Sequence, residues 1–345
     1  MSFKAGDWVI VRSREEILAT LDAAGERGKM PFMPEMLKFC GTKLRISAVA
    51  HKTCDVACKT GGRRLDDTVH LEDVRCDGLA HGGCEAGCLI FWKTQWLRPV
   101  SRNAVSEASA ATRAAGTDLN DALGQRLQAA TVHVEDGEKI YSCQATRLFD
   151  ATRPLKWWEP GQYIKDLTSG NVGLGRFLRA GFLRVLFHLR FLGIGYRAAI
   201  ALHDIAHRML TGRESPYPTG VIPAGQSTPV EPLSLKEGEW VVVRPLEEIR
   251  KTITEQNVNR GMRWDPEMAQ FCGKRFKVAK SVDHIVDERY GKMLKMRSPC
   301  IVLDGVVCSA DYSERRMFCP RQIYPYFREI WLRRLPPGGT AAPPQ

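Results

Sequence analysis

One stretch of the chain, Arg75-Cys76-Asp77-Gly78-Leu79-Ala80-His81-Gly82-Gly83-Cys84-Glu85-Ala86-Gly87-Cys88, places three thiols and an imidazole in one glycine-rich loop. Thiolate sulfur and neutral imidazole nitrogen are ligands for borderline metal ions, and tetrahedral zinc takes four of them. The glycines leave the backbone free to fold around an ion. A nucleophilic reading also exists, because Arg75 adjoins Cys76 and His81 is in range to activate its thiol. Several thiols together favour ligation over a single nucleophile. The plainer alternative is that these cysteines fill small cores, being among the most buried residue types.

Other thiols and one histidine extend the candidate set. Cys40, Cys54, Cys58 and His70 precede the loop, while Cys272, Cys300, Cys308 and Cys319 stand far along the chain. The distant four are related to the first by a repeat. Adding 232 carries Gly6, Trp8, Val9, Val11 and Arg12 onto Gly238, Trp240, Val241, Val243 and Arg244. It also carries Pro34-Glu35-Met36 and Phe39-Cys40-Gly41 onto Pro266-Glu267-Met268 and Phe271-Cys272-Gly273. Cys76 meets Cys308, and after a three-residue insertion Cys84 meets Cys319 and Trp96 meets Trp331. Repeats of this length are self-sufficient domains, not solenoid units. Strand alternation places His70 and Cys300 on equivalent faces. The expectation is a shared site: Cys40, His70, Cys76 and Cys84 in one copy, and Cys272, Cys300, Cys308 and Cys319 in the other. Cys54, Cys58, His81 and Cys88 belong to the first copy alone, as its true ligands or as a second site.

Each copy must position these groups on short strands. Trp8-Val9-Ile10-Val11 and Trp240-Val241-Val242-Val243 alternate like strands, and acidic pairs (Glu15-Glu16, Glu247-Glu248) suit the first turn of a following helix. The Pro34-Glu35-Met36 segment reads as a further helical turn, Gly41 turns the chain into a strand, and an aromatic strand ending at Trp96 closes the copy. The fold class expected is α+β, with two small β-barrels flanking a helical middle region. Boundaries fall at 1–100, 101–236 and 237–335, with a disordered tail at 336–345.

The opening Gly6-Asp7-Trp8-Val9-Ile10-Val11-Arg12, the Pro34 to Gly41 segment and the closing Trp92 to Leu97 resemble SH3-like barrels. Their order is most similar to the barrel domain of the nitrile hydratase beta subunit, and the tandem layout resembles a bacterial tandem-repeat family. That likeness implies a small barrel with a subunit-contact role. It implies no nitrile hydratase activity, since the Cys-x-x-Cys-Ser-Cys signature of the alpha subunit is absent. Cys76-Asp77-Gly78 followed by His81 also resembles the CDGSH iron–sulfur signature, although His81 stands one residue too far and the upstream Cys-x-Cys is missing.

The middle region carries two further features. Asp118 to Ala130, Ile140 to Thr152 and Trp157 to Leu167 read as short helices, with a turn at Asp136-Gly137. A long helix runs from about Leu174 to Leu210, with a break point at Gly193-Ile194-Gly195. On one continuous helix, Arg176, Arg179, Arg190, Arg197 and Arg208 fall within about 60° of one another. Such a stripe meets an anionic membrane surface or else solvent, the apolar side packing inward. His203 and His207 are one turn apart, a di-histidine metal spacing or a pair of structural histidines.

Charge and composition narrow the classes. The net charge is +11, yet residues 1–100 hold 15 basic against 13 acidic side chains, which speaks against nucleic-acid binding by KOW-like barrels. Met1-Ser2-Phe3-Lys4 resembles no signal peptide, so a cytoplasmic protein with reduced thiols is expected. The reading reached is a cytoplasmic zinc-binding tandem-barrel protein that acts by binding a protein partner, with a peripheral membrane contact as an additional option. The rival is a metalloenzyme or redox protein using an iron–sulfur cluster or an open zinc position in the first copy.

Overall fold

Alternation makes Trp8–Val11 a strand (β1): Val9 and Val11 are fully buried while Trp8 and Ile10 face outward. The computed structural model describes residues 3–57, 60–100, 122–189, 196–313 and 315–336. The expected linker at Ser101 to Thr117, most of the tail, and Cys58 lie outside these residues. Helices and strands are mixed, and the chain divides into two compact units. One comprises 1–173 with His284–Lys295 and Arg315–Ile323; the other comprises Leu174–Asp283, Met296–Glu314 and Tyr324–Gln345.

In the first unit, β1 is followed by helix α1 (Arg14–Leu18), which Ser13 and Glu16 close with a reciprocal capping box. The strands β2 (Lys43–Val49), β3 (Lys52–Asp55), β4 (Gly61–Arg64), β5 (Thr68–Leu71), β6 (Trp92–Lys93) and β7 (Leu97–Pro99) come next. They form a five-stranded sheet in the order β6-β5-β2-β1-β7, while β3 and β4 pair separately. Phe32 stands edge-on to Trp96 at 5.1 Å and to Trp92 at 6.1 Å, and these rings centre the core.

Residues 122–173 belong to this unit, whereas the sequence predicts a separate helical region over 101–236. Helix α2 (Ala122–Thr131) leads into the hairpin of β8 (Val132–Glu135) and β9 (Glu138–Tyr141). Asp136 and Gly137 both take positive φ, the requirement of a tight two-residue hairpin turn. The helix expected over Ile140 to Thr152 is therefore replaced by β9 and a run of turns, because that turn commits Ile140 and Tyr141 to pairing with Val132 and His133. Strand β10 (Arg153–Leu155) adds to β4, and helix α3 (Gly161–Thr168) follows. Side-chain amides dock this segment: Gln144 bonds the N–H and C=O of Phe91, both at 2.8 Å, and Asn171 does the same for Val49. Buried Asp166 on α3 pairs with buried Lys52 on β3 at 2.6 Å.

The second unit begins with helices α4 (Leu174–Leu189) and α5 (Tyr196–Thr211), which pack on each other. Both lie within the helix expected from about Leu174 to Leu210, and its expected break point at Gly193-Ile194-Gly195 falls outside the described residues. Strand β11 (Trp240–Val243), helix α6 (Leu246–Arg250), Arg275–Asp283 of strand β12 (Arg275–Val286), Met296–Leu303 of strand β13 (Met293–Leu303) and strand β14 (Leu332–Arg334) complete it. The sheet order is β13-β12-β11-β14.

The repeat holds in space at the level of single bonds. Trp8 pairs with Arg45 and Trp240 with Lys277, and Val11 pairs with Leu97 as Val243 does with Leu332. Trp264 occupies the place of Phe32 and stands edge-on to Trp331 at 5.1 Å. The Trp96 indole donates to Thr20 Oγ1 at 3.1 Å; that of Trp331 donates to Thr252 Oγ1 at 3.0 Å. Both tryptophans are fully buried. Thr20→Val and Thr252→Val, each leaving an indole N–H unmatched, are expected to cost about 1–3 kcal/mol apiece in urea unfolding. A shift under a few tenths would show that these bonds contribute nothing.

Candidate metal centre

The loop from Cys76 to Cys88 is closed at its base, where the Cys76 N–H donates to the Cys88 carbonyl at 2.9 Å. Gly78 takes φ +72°, and its carbonyl accepts from the N–H groups of His81 and Gly83. A Cβ at Gly78 would lie 1.9 Å from the carbonyl oxygen of Cys84, so the tight turn tolerates only glycine. This turn drives the His81 ring inward, leaving the residue 1 % exposed.

Glu35 receives it. Pro34 starts a short 3₁₀ helix (Pro34–Phe39) that buries the Glu35 carboxylate to 3 % exposure. Its Oε1 lies 2.7 Å from His81 Nδ1, accepts from the Ala80 N–H at 3.1 Å, and lies 3.8 Å from Cys76 Sγ. One ligand atom from each of Glu35, Cys76 and His81 falls within 4.8 Å of the others, so the group could hold a metal ion. Glu35 Oε2 and His81 Nε2 are buried without a hydrogen-bond partner. Burial, and then the Glu35 carboxylate, push the Cys76 thiol far above its usual range. An ion binding there must displace that proton.

No protein-family model, curated protein or solved structure matches the chain. The second copy therefore provides the comparison. Glu267, the counterpart of Glu35, is equally buried, and burial raises its carboxyl pKa. It accepts from Ser309 Oγ at 2.6 Å, from the Tyr312 N–H at 2.6 Å and from Ser313 Oγ at 3.3 Å. Tyr312 and Ser313 are the counterparts of Ala80 and His81 under the 232 shift. A buried glutamate gathers the same loop in both copies; the imidazole is particular to the first.

The other sequence candidates are placed as follows. Cys84 accepts from the Val286 N–H at 3.3 Å, and burial raises the Cys88 thiol to about 12 and the Cys143 thiol to about 11. Cys40 and Cys272 close equivalent 3₁₀ helices, each donating its N–H to the carbonyl three residues back. Cys319 does not join Cys272, Cys300 and Cys308. It lies in the first unit, where its hydrogen bond holds the Cys54 thiol below the usual range against burial, with Arg321 assisting. Arg321 donates to the Cys54 carbonyl and pairs with Glu288 at 2.7 Å. The Cys300 thiol donates to the Ser298 carbonyl at 3.5 Å and takes Arg328 at 3.7 Å. The two sets expected as shared sites are thus divided, and Glu35–Cys76–His81 is the sole group of three potential ligands among the described residues. Cys84 and Cys88 lie outside it. Glu35 is neither a thiol nor an imidazole, and its sequence signal is the gapless repetition of Pro-Glu-Met.

His70 is fully buried, with Nδ1 2.9 Å from the Ile90 carbonyl, and burial lowers its pKa to about 4. Because the folded pKa lies below the unfolded value, the stability from keeping this ring neutral is complete above about pH 6.5. It is lost as pH falls towards 4, on the order of 3 kcal/mol in all. Urea titrations at stepped pH are expected to show this slope, and His70→Gln to flatten it; an unchanged slope in the variant would contradict the assignment. His203 and His207 are buried and stacked, and His207 is committed to the Arg213 carbonyl at 3.1 Å and the Tyr312 hydroxyl at 3.2 Å. Of the arginines, Arg176 pairs with Asp311, Arg179 and Arg208 are exposed, and the side chains of Arg190 and Arg197 lie outside the described residues.

Proposed function

We propose that the first repeat holds one zinc ion on Glu35, Cys76 and His81, and that the protein acts by presenting the loop so fixed to a protein partner. The observation that carries this reading is the buried carboxylate–thiol–imidazole group, with one ligand atom of each residue within 4.8 Å of the others. One sulfur, one nitrogen and one oxygen donor suit zinc better than the oxygen-seeking magnesium or calcium. Metal bonds of about 2.0–2.3 Å at tetrahedral angles set ligand atoms about 3.3–3.8 Å apart. The Cys76 to Glu35 distance already lies at the upper edge of that range. His81 and Glu35 need only part slightly as the ion replaces their shared proton.

Three protein ligands leave one position for water, which is the pattern of catalytic zinc. Near-complete burial of Glu35 and His81 favours a structural ion over one that substrate reaches. The loop it would fix bears Leu79, 78 % exposed, as an apolar contact for a partner. The repeated pairing of β1 with β2 and β7, and of β11 with β12 and β14, supports an SH3-like barrel for each copy. Cobalt titration tests the site: the full chain is expected to develop a thiolate-to-cobalt absorption band that Cys76→Ser loses. A chain that binds no cobalt, or a band that survives Cys76→Ser, would reject it.

A further inference from the structure

The α4–α5 hairpin exposes more apolar surface than its own unit accounts for. On α4 the exposed residues Leu174, Leu178, Phe182, Val185 and Leu189 recur every three or four positions. At 100° per residue they occupy an arc of about 80°. On α5, Leu202, Ile205 and Met209 form a second stripe, with Met209 81 % exposed. The opposite sides are spoken for. Ala180, Leu183, Leu186 and Phe187 are buried, Phe187 lies 4.3 Å from Tyr217, and His203 and His207 face inward. These stripes are therefore not misplaced core; each is an exposed apolar face of the kind that marks a binding surface.

Charge selects the occupant. From Leu174 to Arg213 the sequence holds seven arginines and a single acidic residue, Asp204. Arg179 and Arg208 are exposed at about 100° from the centres of their stripes, at the border between apolar and polar faces. Asp204 lies on the side away from the α5 stripe, beside His203. A second copy would bring like charges together, whereas phosphate headgroups would neutralise them. No helix among the described residues is long and apolar enough to cross a bilayer. We infer that the α4–α5 hairpin lies on the surface of an anionic bilayer, its apolar stripes at the headgroup boundary and Arg179 and Arg208 on lipid phosphates.

Flotation of the full chain with lipid vesicles tests it. Binding is expected to vesicles of phosphatidylcholine mixed with phosphatidylglycerol, to fall as salt is raised, and to be weak on phosphatidylcholine alone. Phe182→Asp combined with Ile205→Asp is expected to weaken binding about tenfold or more, with an unchanged circular dichroism spectrum because both sites are exposed. Arg179→Glu with Arg208→Glu should weaken binding to the anionic vesicles and remove its salt dependence. Absence of the wild-type chain from both floated fractions would overturn the proposal. So would equal binding to both vesicle types, or a concentration-dependent dimer that the Asp variants abolish. Should the Asp variants lose structure, Phe182→Ser and Ile205→Ser repeat the comparison, and undiminished binding would count against it.

Discussion

Asp166→Ala is expected to remove about 3–5 kcal/mol of stability, since it strands a buried ammonium. Asp166 is fully buried on α3, and Lys52 on β3 is nearly so, with 2.6 Å between them. Burial pulls the Lys52 pKa below its usual range, while the Asp166 charge pulls the other way. The ammonium also lies over the rings of Tyr163, at 5.1 Å, and Phe318, at 5.8 Å, which stabilise a cation too little to replace a carboxylate. His51 Nε2 stands 3.2 Å from the other Asp166 oxygen, but that oxygen receives no hydrogen bond of good geometry. The charge balance thus rests on Lys52. Lys52→Met combined with Asp166→Leu should recover most of the loss, because an apolar pair of similar volume avoids the desolvation cost. Denaturant unfolding of the two variants checks this. A single variant within about 1 kcal/mol of wild type would mean that water or another group already solvates Lys52.

That ion pair also shows what the sequence concealed. The repeat was legible down to backbone register, because β1 and β11 alternate cleanly and the tryptophans that close each copy recur at fixed offsets. The attachment of residues 122–173 to the first unit was not legible. It depends on Gln144, Asn171 and Asp166, polar residues that look like surface until their partners at Phe91, Val49 and Lys52 are known. The thiols misled for a related reason. Cys84 and Cys319 match in the repeat, yet the insertion after Cys308 delivers Cys319 to Cys54 in the first unit. Sequence spacing reports neighbours along a loop and says nothing of which distant carboxylate a turn will meet. Glu35 entered the centre from a 3₁₀ helix some forty residues upstream.

His81→Ser is expected to lower zinc affinity by more than the roughly 10–100-fold that follows loss of an outer partner of a metal site. The substitution copies the second repeat, where Ser313 already serves the equivalent glutamate at 3.3 Å. The loop should stay folded on its Glu35 hydrogen bonds, so the metal-free melting temperature changes little while the zinc-induced rise disappears. Glu35→Gln should lose both, since the carboxylate gathers the Ala80 N–H and His81 whether or not an ion is present. The reciprocal change, Ser313→His, puts an imidazole beside Glu267 in the copy that retains Cys308, and a second zinc equivalent is the expected gain. Calorimetric titration against zinc distinguishes these outcomes. Equal affinity in wild type and His81→Ser would remove the imidazole from the site.

X-ray absorption at the zinc edge of the loaded full chain asks the question most directly. One sulfur at about 2.3 Å, with nitrogen and oxygen neighbours at about 2.0–2.2 Å, is the expected shell. A shell of three or four sulfurs would place the ion among Cys54, Cys84, Cys88 and Cys319 instead, and a chain that retains no zinc would leave Glu35, like Glu267, as a loop anchor.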